Sequence, residues 1–359
     1  MQNAPDGTLA AEEITPGELR LAARNHALPL EALRYPITPA GLHYLLIHYD
    51  IPPVDAAVFR LEVSGAVERP LSLTLDDLRA REAVSMPVTF ECAGNGRALL
   101  SPRPLSQPWL TEAVGTAEWA GTPLAPLLDE AGVRPSAVEA LFTGLDRGIE
   151  GGAPQSYERA LALADTEGAL LAYEMNGAPL PPQHGFPLRL VVPGWYGMTN
   201  VKWLTRITLL EQPFDGYQNA VAYRMYGAGG EPGDPVTRMQ PRSLMVPPGV
   251  PDFMSRERHL EPGPGPLTGR AWSGYGRIER VEVSTDAGAS FAAAELDEPL
   301  GEAAWRGWRF EWEATPGSHV LSSRATDAAG QTQPLDAPWN LKGYANNAVE
   351  RVPVVVGPA

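Results

Sequence analysis

The single cysteine of this 359-residue chain, Cys92, lies in the segment Thr-Phe-Glu-Cys-Ala-Gly-Asn-Gly-Arg at residues 89–97. One cysteine cannot form an internal disulfide, and a zinc site needs several ligands. Gly94 and Gly96 allow a tight turn and a close approach of the backbone to a bound group, and Arg97 adds a fixed positive charge. Positive charge favours a thiolate, and thiolates prefer soft metals. The setting therefore favours a chemical role for Cys92 over that of a small buried apolar residue.

Several other segments, taken in chain order, point to one family together with the Cys92 loop. The chain resembles the sulfite oxidase family of molybdopterin enzymes in Glu-Cys-Ala-Gly-Asn at 91–95, Trp-Ala-Gly at 119–121, Leu-Ala-Tyr-Glu-Met-Asn-Gly at 171–177, Pro-Pro-Gln-His-Gly-Phe-Pro-Leu-Arg at 181–189, Val-Pro-Gly at 192–194, Val-Lys-Trp-Leu at 201–204 and Trp-Asn-Leu-Lys-Gly at 339–343. The resemblance runs from about residue 36 to the C-terminus. It implies an α+β protein, in which a mixed α/β molybdenum-cofactor domain precedes an immunoglobulin-like β-sandwich dimerisation domain.

The cofactor side of the site follows from this resemblance residue by residue. Cys92 corresponds to the protein thiolate on molybdenum, and molybdopterin would supply the other sulfur ligands. His48 corresponds to a histidine at the cofactor. The groups that would hold the pterin phosphate are His184, Arg189, Lys202 and the backbone N–H donors of Gly197–Asn200. A guanidinium within the apolar strand predicted around residue 189 needs a partner, which agrees with a bound anion.

The substrate side carries a second set of matches. Arg97, Trp109 and Tyr223 correspond to residues that line the oxyanion pocket of the family. Tyr223 can donate a hydrogen bond to a substrate oxygen, and Trp109 can shape the wall and offer an indole N–H. Lys342 stands at a position that is often Arg, so the charge is kept while the bidentate fork is lost. Together with Cys92 these four residues form the predicted catalytic set.

The chain departs from the family upstream of these residues. The family's Arg-Asn-His motif follows a Thr-Pro and leads into the Pro before the first strand, whereas Arg24-Asn-His26 precedes Thr38-Pro39. In the matching register the segment is Leu46-Ile-His48, so Leu replaces the arginine. Losing one cation from a dianion pocket weakens binding by roughly 1.5–3 kcal/mol per charged hydrogen bond. The departure therefore favours a substrate that is less charged than sulfite.

Two hypotheses share the molybdenum cofactor. The first is oxidation of sulfite, or a related sulfur compound, to sulfate by oxygen-atom transfer. Its electrons would pass to an external acceptor, because one cysteine excludes a Cys-x-x-Cys-His haem attachment. The second is reduction of neutral S-oxides or N-oxides, which Leu46 favours. The substrate is thus a small oxyanion or oxide, and the resemblance also implies a homodimer.

A third hypothesis, from a different class, is a non-catalytic binding protein whose β-sandwich is an interaction module. Its support is a group of tryptophans late in the chain, where an exposed aromatic patch could bind partners. They are Trp272, Trp305, Trp308, Trp312 and Trp339. Core packing and a dimer interface are the simpler explanation for the same residues.

Charge and hydropathy narrow the classes of partner. The formal net charge of −15 argues against nucleic acid and anionic membranes. No apolar run is long enough to span a membrane, and Met1–Glu13 shows no export signal. We therefore expect a cytoplasmic protein, or a periplasmic one if a leader has been trimmed.

The sequence pattern predicts three regions and several elements within them. We expect an N-terminal extension at 1–35, the molybdopterin domain at 36–232 and the immunoglobulin-like domain at 233–359. Residues 71–81 hold a predicted helix capped by Thr74, and 86–91 form the strand that leads to Cys92. Residues 120–131 are predicted as a turn and a short helix, and 229–235 as a linker. Alternating segments at 278–284, 308–312 and 319–325 favour a β-sandwich.

Overall fold

A computed structural model describes residues 10–11 and 13–357 of the chain. Its α-helices are short and its strands dominate. The α-helices are α1 (Pro16–Ala22), α2 (Leu75–Arg79) and α3 (Leu124–Ala131). Single turns of 3-10 helix occupy Leu30–Arg34, Arg97–Leu99, Leu163–Thr166, Pro182–His184 and Gly197–Thr199, and a π-helical turn occupies Gln218–Ala222.

The first half of the chain builds two five-stranded sheets and two small ladders. Its strands are β1 (Ala10–Ala11), β2 (Leu61–Gly65), β3 (Leu71–Leu73), β4 (Val84–Glu91), β5 (Arg103–Pro104), β6 (Val114–Pro123), β7 (Glu139–Glu150), β8 (Ala153–Ala162), β9 (Leu170–Met175), β10 (Ala178–Pro179), β11 (Arg189–Val191), β12 (Leu204–Leu210), β13 (Arg224–Tyr226) and β14 (Pro232–Pro235). One sheet has the order β3-β2-β12-β7-β8, with β2 and β12 parallel. The other has the order β10-β9-β6-β4, with β11 also on β9. The ladders are β1-β5 and β13-β14.

The second half forms two sheets with mainly antiparallel neighbours. Its strands are β15 (Arg242–Met245), β16 (Val250–Pro251), β17 (Arg258–Leu260), β18 (Gly263–Trp272), β19 (Ile278–Ser284), β20 (Ala292–Ala293), β21 (Glu295–Leu296), β22 (Arg306–Ala314), β23 (Gly317–Asp327) and β24 (Val352–Val356). The orders are β15-β18-β22-β21 and β16-β17-β24-β23-β19-β20. One apolar cluster draws on both sheets, as in a β-sandwich.

Local sequence explains the elements that frame the site. The Thr74 hydroxyl accepts from the Asp77 N–H while the Asp77 carboxylate accepts from the Thr74 N–H, a capping box that starts α2. Leu61 and Val63 alternate with exposed neighbours along β2, so one face of the strand packs on the core. The predicted helix at 71–81 is thus confirmed over its central residues, with β3 taking its first three positions.

The fold class is confirmed, and two local predictions are wrong. Residues 120–123, predicted as a turn, continue β6, because they pair with β9 as far as Pro123 opposite Leu170. The predicted linker at 229–235 contains β14, which pairs with β13. At 120–123 the turn-forming residues are overridden by pairing with a strand that is distant in sequence, whereas at 232–235 they pair with the strand just before them.

The tryptophans of the second half do not form the exposed patch that a binding module would need. Trp272, Trp305 and Trp308 are buried, and Trp312 and Trp339 are half-buried. Core packing therefore accounts for most of this aromatic surface.

Candidate active site

A cavity of about 300 Å³ opens beside Cys92, at the end of β4. The predicted site residues in its wall are His48, Cys92, Arg97, Trp109, His184, Arg189, Gly197, Asn200, Lys202 and Tyr223. They come from segments that are far apart in the chain, so the fold brings the proposed cofactor side and the proposed substrate side to one place.

The loop after β4 fixes Cys92 through backbone bonds and through Asn95. The Cys92 N–H donates to Ala113 O, and the Asn95 N–H donates to Cys92 O, both at 2.9 Å. The Asn95 side chain donates to Thr111 O and accepts from the Ala113 N–H, both at 3.0 Å. Gly96 has φ +86°, a left-handed conformation that suits glycine. The turn thus presents a half-buried thiol to the cavity.

Glu91, the last residue of β4, is tied to the second half of the chain. Its Oε1 accepts from Arg242 Nη1 at 2.9 Å and from Asn95 Nδ2 at 3.0 Å, and its Oε2 accepts from Trp272 Nε1 at 2.9 Å. All of these side chains are buried. The carboxylate is therefore paired and fully hydrogen-bonded, and it anchors the residue before Cys92 to β15 and β18.

The surroundings of the thiol act in opposite directions on its protonation. Burial raises the pKa of Cys92, while the Arg97 guanidinium and the Trp109 indole N–H favour the thiolate. Trp109 Nε1 is buried and meets no acceptor with full hydrogen-bond geometry among the described residues, so its effect on the thiol is weaker than that of Arg97. A thiol held in this way is protonated near pH 7 and would release its proton on binding a metal.

The Arg97 guanidinium folds back over the loop. Its Nε donates to Lys342 O at 2.7 Å and its Nη1 to Gln107 O at 3.3 Å. A Cβ at Gly94 would lie 2.6 Å from Arg97 Nη2, so glycine makes room for the guanidinium. No carboxylate forms an ion pair with Arg97 within the described part of the chain. Its charge is available to an anion in the cavity.

Arg189 lies at another part of the cavity wall, between two aromatic rings. Its guanidinium carbon is 4.9 Å from the Phe90 ring centroid and 4.6 Å from that of Trp119. Nη1 donates to His184 O at 2.9 Å and Nη2 to Asn200 O at 3.1 Å, whereas Nε has no hydrogen-bond partner among the described residues. Burial lowers the pKa of Arg189 to about 9, because the charged form has lost water.

Two further basic groups lie near Arg189. Burial lowers the pKa of Lys202 to about 7, with repulsion from Arg189 adding to the shift and Asp146 opposing it. Burial also lowers the pKa of His184 to about 2, and its buried Nε2 has no hydrogen-bond partner in the described part of the chain. Lys202 Nζ donates to Leu46 O at 2.9 Å. We call His184, Arg189 and Lys202 the cation cluster; its lowered pKa leaves His184 neutral near pH 7, and among the described carboxylates Asp146 opposes only the shift of Lys202.

Tyr223 and His48 form a pair in the same cavity, with 2.5 Å between Tyr223 Oη and His48 Nε2. Burial lowers the pKa of His48 to about 3 and raises the pKa of Tyr223 well above its usual range. Both groups are accordingly neutral at pH 7. The tautomer of His48 decides which of the two donates, so the pair can hold a proton on either side.

Comparison with known proteins identifies the family. Residues 48–218 match the oxidoreductase molybdopterin binding domain, and residues 236–357 match the Mo-co oxidoreductase dimerisation domain. The chain is 37% identical over 341 residues to the mitochondrial sulfite oxidase of Homo sapiens, which covers 90% of this chain and 62% of that protein. The chain belongs to the sulfite oxidase family. The predicted family, domain types and cofactor, molybdopterin with molybdenum, are confirmed.

The chain is also similar to proteins that are not sulfite oxidases. Nitrate reductase (NADH) 1 of Oryza sativa subsp. japonica is 32% identical over 380 residues, which covers 96% of this chain and 41% of that protein. The chain therefore spans less than two thirds of the length of these curated relatives. The sulfane dehydrogenase SoxCD from Paracoccus pantotrophus superposes with a TM-score of 0.81 at 27% identity, covering 97% of this chain and 87% of that one. No helix in the described residues is long and apolar enough to cross a membrane.

The cation cluster fits the phosphate of a sulfite oxidase family cofactor. His184 Nε2 and Arg189 Nε are buried polar atoms without partners in residues 10–11 and 13–357, and such atoms destabilise the fold unless a ligand satisfies them. An anion beside these groups would also stabilise the charged form of Lys202. Cys92 lies in the same cavity and offers the thiolate that a soft metal prefers.

The backbone donors expected at Gly197–Asn200 are partly used within the fold. The Thr199 N–H donates to Tyr196 O at 3.0 Å and the Asn200 N–H to Gly197 O at 3.1 Å. The Asn200 side chain instead holds the strand, with Oδ1 accepting from the Val192 N–H at 2.6 Å. The donors of this segment that could reach a phosphate are thereby reduced to the N–H groups of Gly197 and Met198.

Lys342 is the predicted site residue that the structure leaves out of the cavity wall. Its Nζ donates to Val221 O at 3.0 Å and to Ala222 O at 3.4 Å, behind the segment that presents Tyr223. Its backbone oxygen accepts from Arg97 Nε. In this structure Lys342 holds the two residues expected beside the substrate, rather than facing the cavity itself.

The structure also locates the two segments that were compared with the family's Arg-Asn-His motif. Leu46 and His48 line the cavity, whereas Arg24 is exposed and donates from Nη2 to Tyr49 O at 2.7 Å. The register chosen from the sequence therefore agrees with the positions of these residues. The roles assigned to them stay predictions.

Sequence reasoning missed several polar residues in the wall, including Asn25, His43 and Gln107. Asn25 accepts from the Ile47 N–H at 2.7 Å and donates to Gln107 Oε1 at 3.0 Å. It belongs to the Arg24-Asn-His26 segment, which forms a bridge with Leu45. No periodicity or spacing marks these residues, because their role arises only when the N-terminal segment packs beside residues 45–47.

Proposed function

We propose that this chain is a molybdenum-dependent oxidoreductase that oxidises sulfite, or a related sulfur compound, to sulfate. The observation that carries the proposal is one cavity that combines the Cys92 thiol, the Arg97 charge and the unsatisfied cation cluster. Overall, sulfite and water give sulfate, two protons and two electrons. When bound, the cofactor supplies the metal centre at which oxygen and electrons are exchanged with the substrate.

Arg97 is proposed to bind the substrate oxyanion. Its guanidinium is buried and has no carboxylate partner within the described residues, so its charge is poorly screened inside the cavity. Trp109, which is also buried, forms part of the same wall. Such preorganised charge stabilises an anion without reorganising at the moment of reaction.

Tyr223 and His48 are proposed to manage a proton at the substrate. If His48 carries its proton on Nε2, it donates to Tyr223 Oη and leaves the phenol O–H free for a substrate oxygen. With the other tautomer, Nε2 accepts the phenol proton across the observed 2.5 Å. Lys342 supports Tyr223 indirectly through the carbonyls of Val221 and Ala222, and its backbone oxygen accepts from Arg97 Nε.

The proposal is tested on holoprotein made in a host that supplies molybdopterin. We expect stoichiometric molybdenum, pterin fluorescence and sulfite-dependent reduction of ferricyanide. Cys92→Ser, a near-isostere with a poor soft-metal ligand, should lose turnover and retain its circular dichroism spectrum. Protein without molybdenum or pterin, or a fully active Cys92→Ser variant, would overturn the assignment and revive a binding role.

A second candidate, reduction of neutral S-oxides or N-oxides, is favoured by one observation. Leu46 lines the cavity where the family resemblance implies an arginine. The test compares sulfite oxidation with reduction of dimethyl sulfoxide and trimethylamine N-oxide by reduced viologen. Leu46→Arg should improve the KM for sulfite about 10-fold or more if the pocket lacks only this charge. Faster reduction of the oxides by the parent protein would select the second candidate.

We also propose a homodimer and an external electron acceptor. The match of residues 236–357 to a dimerisation domain supports the first. Light scattering on a sizing column should give twice the 38.6 kDa of the chain. Reduction of ferricyanide, or of a cytochrome, by the sulfite-treated protein would support the second.

A further inference from the structure

Arg159, on β8, is a buried cation to which the proposed function gives no role. It is buried almost completely, and its Nε has no hydrogen-bond partner among the residues that the structure describes. No carboxylate forms an ion pair with it in the part of the chain that the structure describes. Burial lowers its pKa, whereas the neighbouring rings of Tyr157, Tyr223 and Tyr344 oppose the shift. Burying an unpaired charge of this kind lowers the stability of the fold. Its contacts therefore indicate what it does in the protein.

The contacts of Arg159 converge on the segment that presents Tyr223. Its Nη1 donates to Gln218 O at 2.6 Å, and its guanidinium carbon lies 5.3 Å from the centroid of the Tyr223 ring. The next residue, Ala160, pairs twice with the Asn219 side chain, at 3.3 Å from its N–H and at 3.0 Å to its oxygen. Strand β8 is thus attached to the π-helical turn Gln218–Ala222.

The bonded carbonyl is the one that closes this turn. The Tyr223 N–H donates to Gln218 O at 3.2 Å, the bond from residue i+5 to residue i that defines a π-helical turn. Gln218 O therefore accepts from both Tyr223 and Arg159. Single π-helical turns are rare and are frequent at functional sites, since they place a side chain that a regular helix would direct elsewhere.

We propose that Arg159 is a positioning residue for Tyr223, which holds the π-helical turn closed and keeps a positive charge on the face of the phenol ring. Arg159 does not line the cavity, so it acts through Tyr223 and not on the substrate. A cation over the ring stabilises its negative face. The bond to Gln218 O fixes where the phenol meets His48. The inference rests on the proposed role of Tyr223.

Two variants of Arg159 test its contribution, one without and one with a positive charge. Arg159→Met removes both the donor and the charge, and Arg159→Lys keeps a charge and a donor but loses the planar fork. Arg324→Met is the matched control, because Arg324 lies 4.1 Å over the Phe291 ring in the other domain, away from the cavity. All variants are made as holoprotein, and molybdenum is measured in each.

The first readout is steady-state turnover with the better substrate of the proposed function. We expect kcat of Arg159→Met to fall about 10- to 100-fold with little change in KM and in molybdenum content, and Arg159→Lys to recover part of the loss. Arg324→Met should match the parent protein. A parallel loss of molybdenum, or an equal loss in Arg324→Met, would mean that Arg159 serves only the fold and would overturn the proposal.

The second readout does not depend on activity. With 3-fluorotyrosine in the holoprotein, Tyr223→Phe identifies the resonance of Tyr223 among those of the 11 tyrosines. Arg159→Met should shift or broaden that resonance, and Arg324→Met should leave it unchanged. An unchanged resonance in Arg159→Met would contradict the proposal. Full activity of Tyr223→Phe would instead count against the proposed function, while the resonance would still decide whether Arg159 positions Tyr223.

Discussion

Two buried charge clusters flank the strand that delivers Cys92, and they differ in how their charge is balanced. At the end of β4, the Glu91 carboxylate is paired with Arg242 at 2.9 Å and is hydrogen-bonded at both oxygens. Around Arg189, three basic groups share a space without a carboxylate on the guanidinium. Both arginines have an Nε without a partner within the described chain. The difference is therefore the presence of the opposite charge.

This difference distinguishes buried charges that stabilise the fold from buried charges that can bind a ligand. A buried ion pair that is complete within the chain stabilises one arrangement of the fold. A buried cation cluster without an anion lowers the stability of the apoprotein. Binding of an anion restores that free energy. The Glu91 network accordingly joins the two domains, and the His184, Arg189 and Lys202 cluster is the candidate phosphate site.

The largest effect is expected from Glu91→Ala, which breaks the balanced cluster. Arg242 would remain buried without its partner, at a cost of about 3–5 kcal/mol. Thermal unfolding of the apoprotein should show a clearly lower midpoint. Glu279→Ala is the control, because its pair with Arg277 is exposed and contributes little. Equal midpoints for the two variants would remove the structural role given to the Glu91 network.

The next effect concerns pH and the unbalanced cluster. Since the pKa of Lys202 is lowered to about 7 by burial, the unfolded chain binds more protons than the folded one from about pH 7 to about pH 10. The stability contributed by this site therefore rises with pH across that window. Asp146, whose pKa burial raises to about 6, acts in the opposite direction and below the window.

Lys202→Met isolates this contribution to the pH dependence. Apoprotein midpoints measured across the window should rise more steeply with pH in the parent chain than in the variant. Bound cofactor should flatten the slope of the parent chain, because an anion restores the charged form of Lys202. Parallel curves of thermal midpoint against pH for parent and variant would show that the pKa of Lys202 is not lowered in the folded apoprotein.

A smaller effect is expected at the substrate side from Gly94→Ala. The new Cβ would meet Arg97 Nη2 at 2.6 Å, so the guanidinium must shift. If the proposed function holds, the KM for sulfite should rise about 10-fold while molybdenum content stays unchanged. Gly41→Ala, where nothing lies within 4 Å of the added Cβ, serves as control. An unchanged KM for sulfite would contradict the proposal that Arg97 binds the substrate oxyanion.

The smallest effect is expected from Arg189→Met in the apoprotein. The variant loses hydrogen bonds to two carbonyl groups and relieves a buried charge, and these contributions offset each other to within about 1 kcal/mol. Its thermal midpoint should lie near that of the parent apoprotein. A fall as large as that of Glu91→Ala would mean that both clusters are structural.

The sequence predicted the fold and the proposed cofactor side better than the substrate side. The Cys92 loop, the His184–Arg189 segment and the strand at 278–284 are local patterns, and each occurs where it was expected. Lys342 was placed in the pocket by its motif, but the carbonyls of the π-helical turn hold its ammonium group elsewhere. Arg159 had no sequence signal, and the Arg24-Asn-His26 motif did not reveal the role of Asn25, since the bonds of these residues to Gln218 and Ile47 span more than 20 positions.

The central claim is that the unbalanced cations hold the cofactor phosphate, and cofactor retention tests it most directly. Molybdenum and pterin are measured in purified Arg189→Met and in Arg238→Met, whose guanidinium lies 5.8 Å over the Trp195 ring and is partly exposed. We predict at least about a 10-fold loss of both from Arg189→Met and none from Arg238→Met. Full molybdenum and pterin in Arg189→Met would contradict the account.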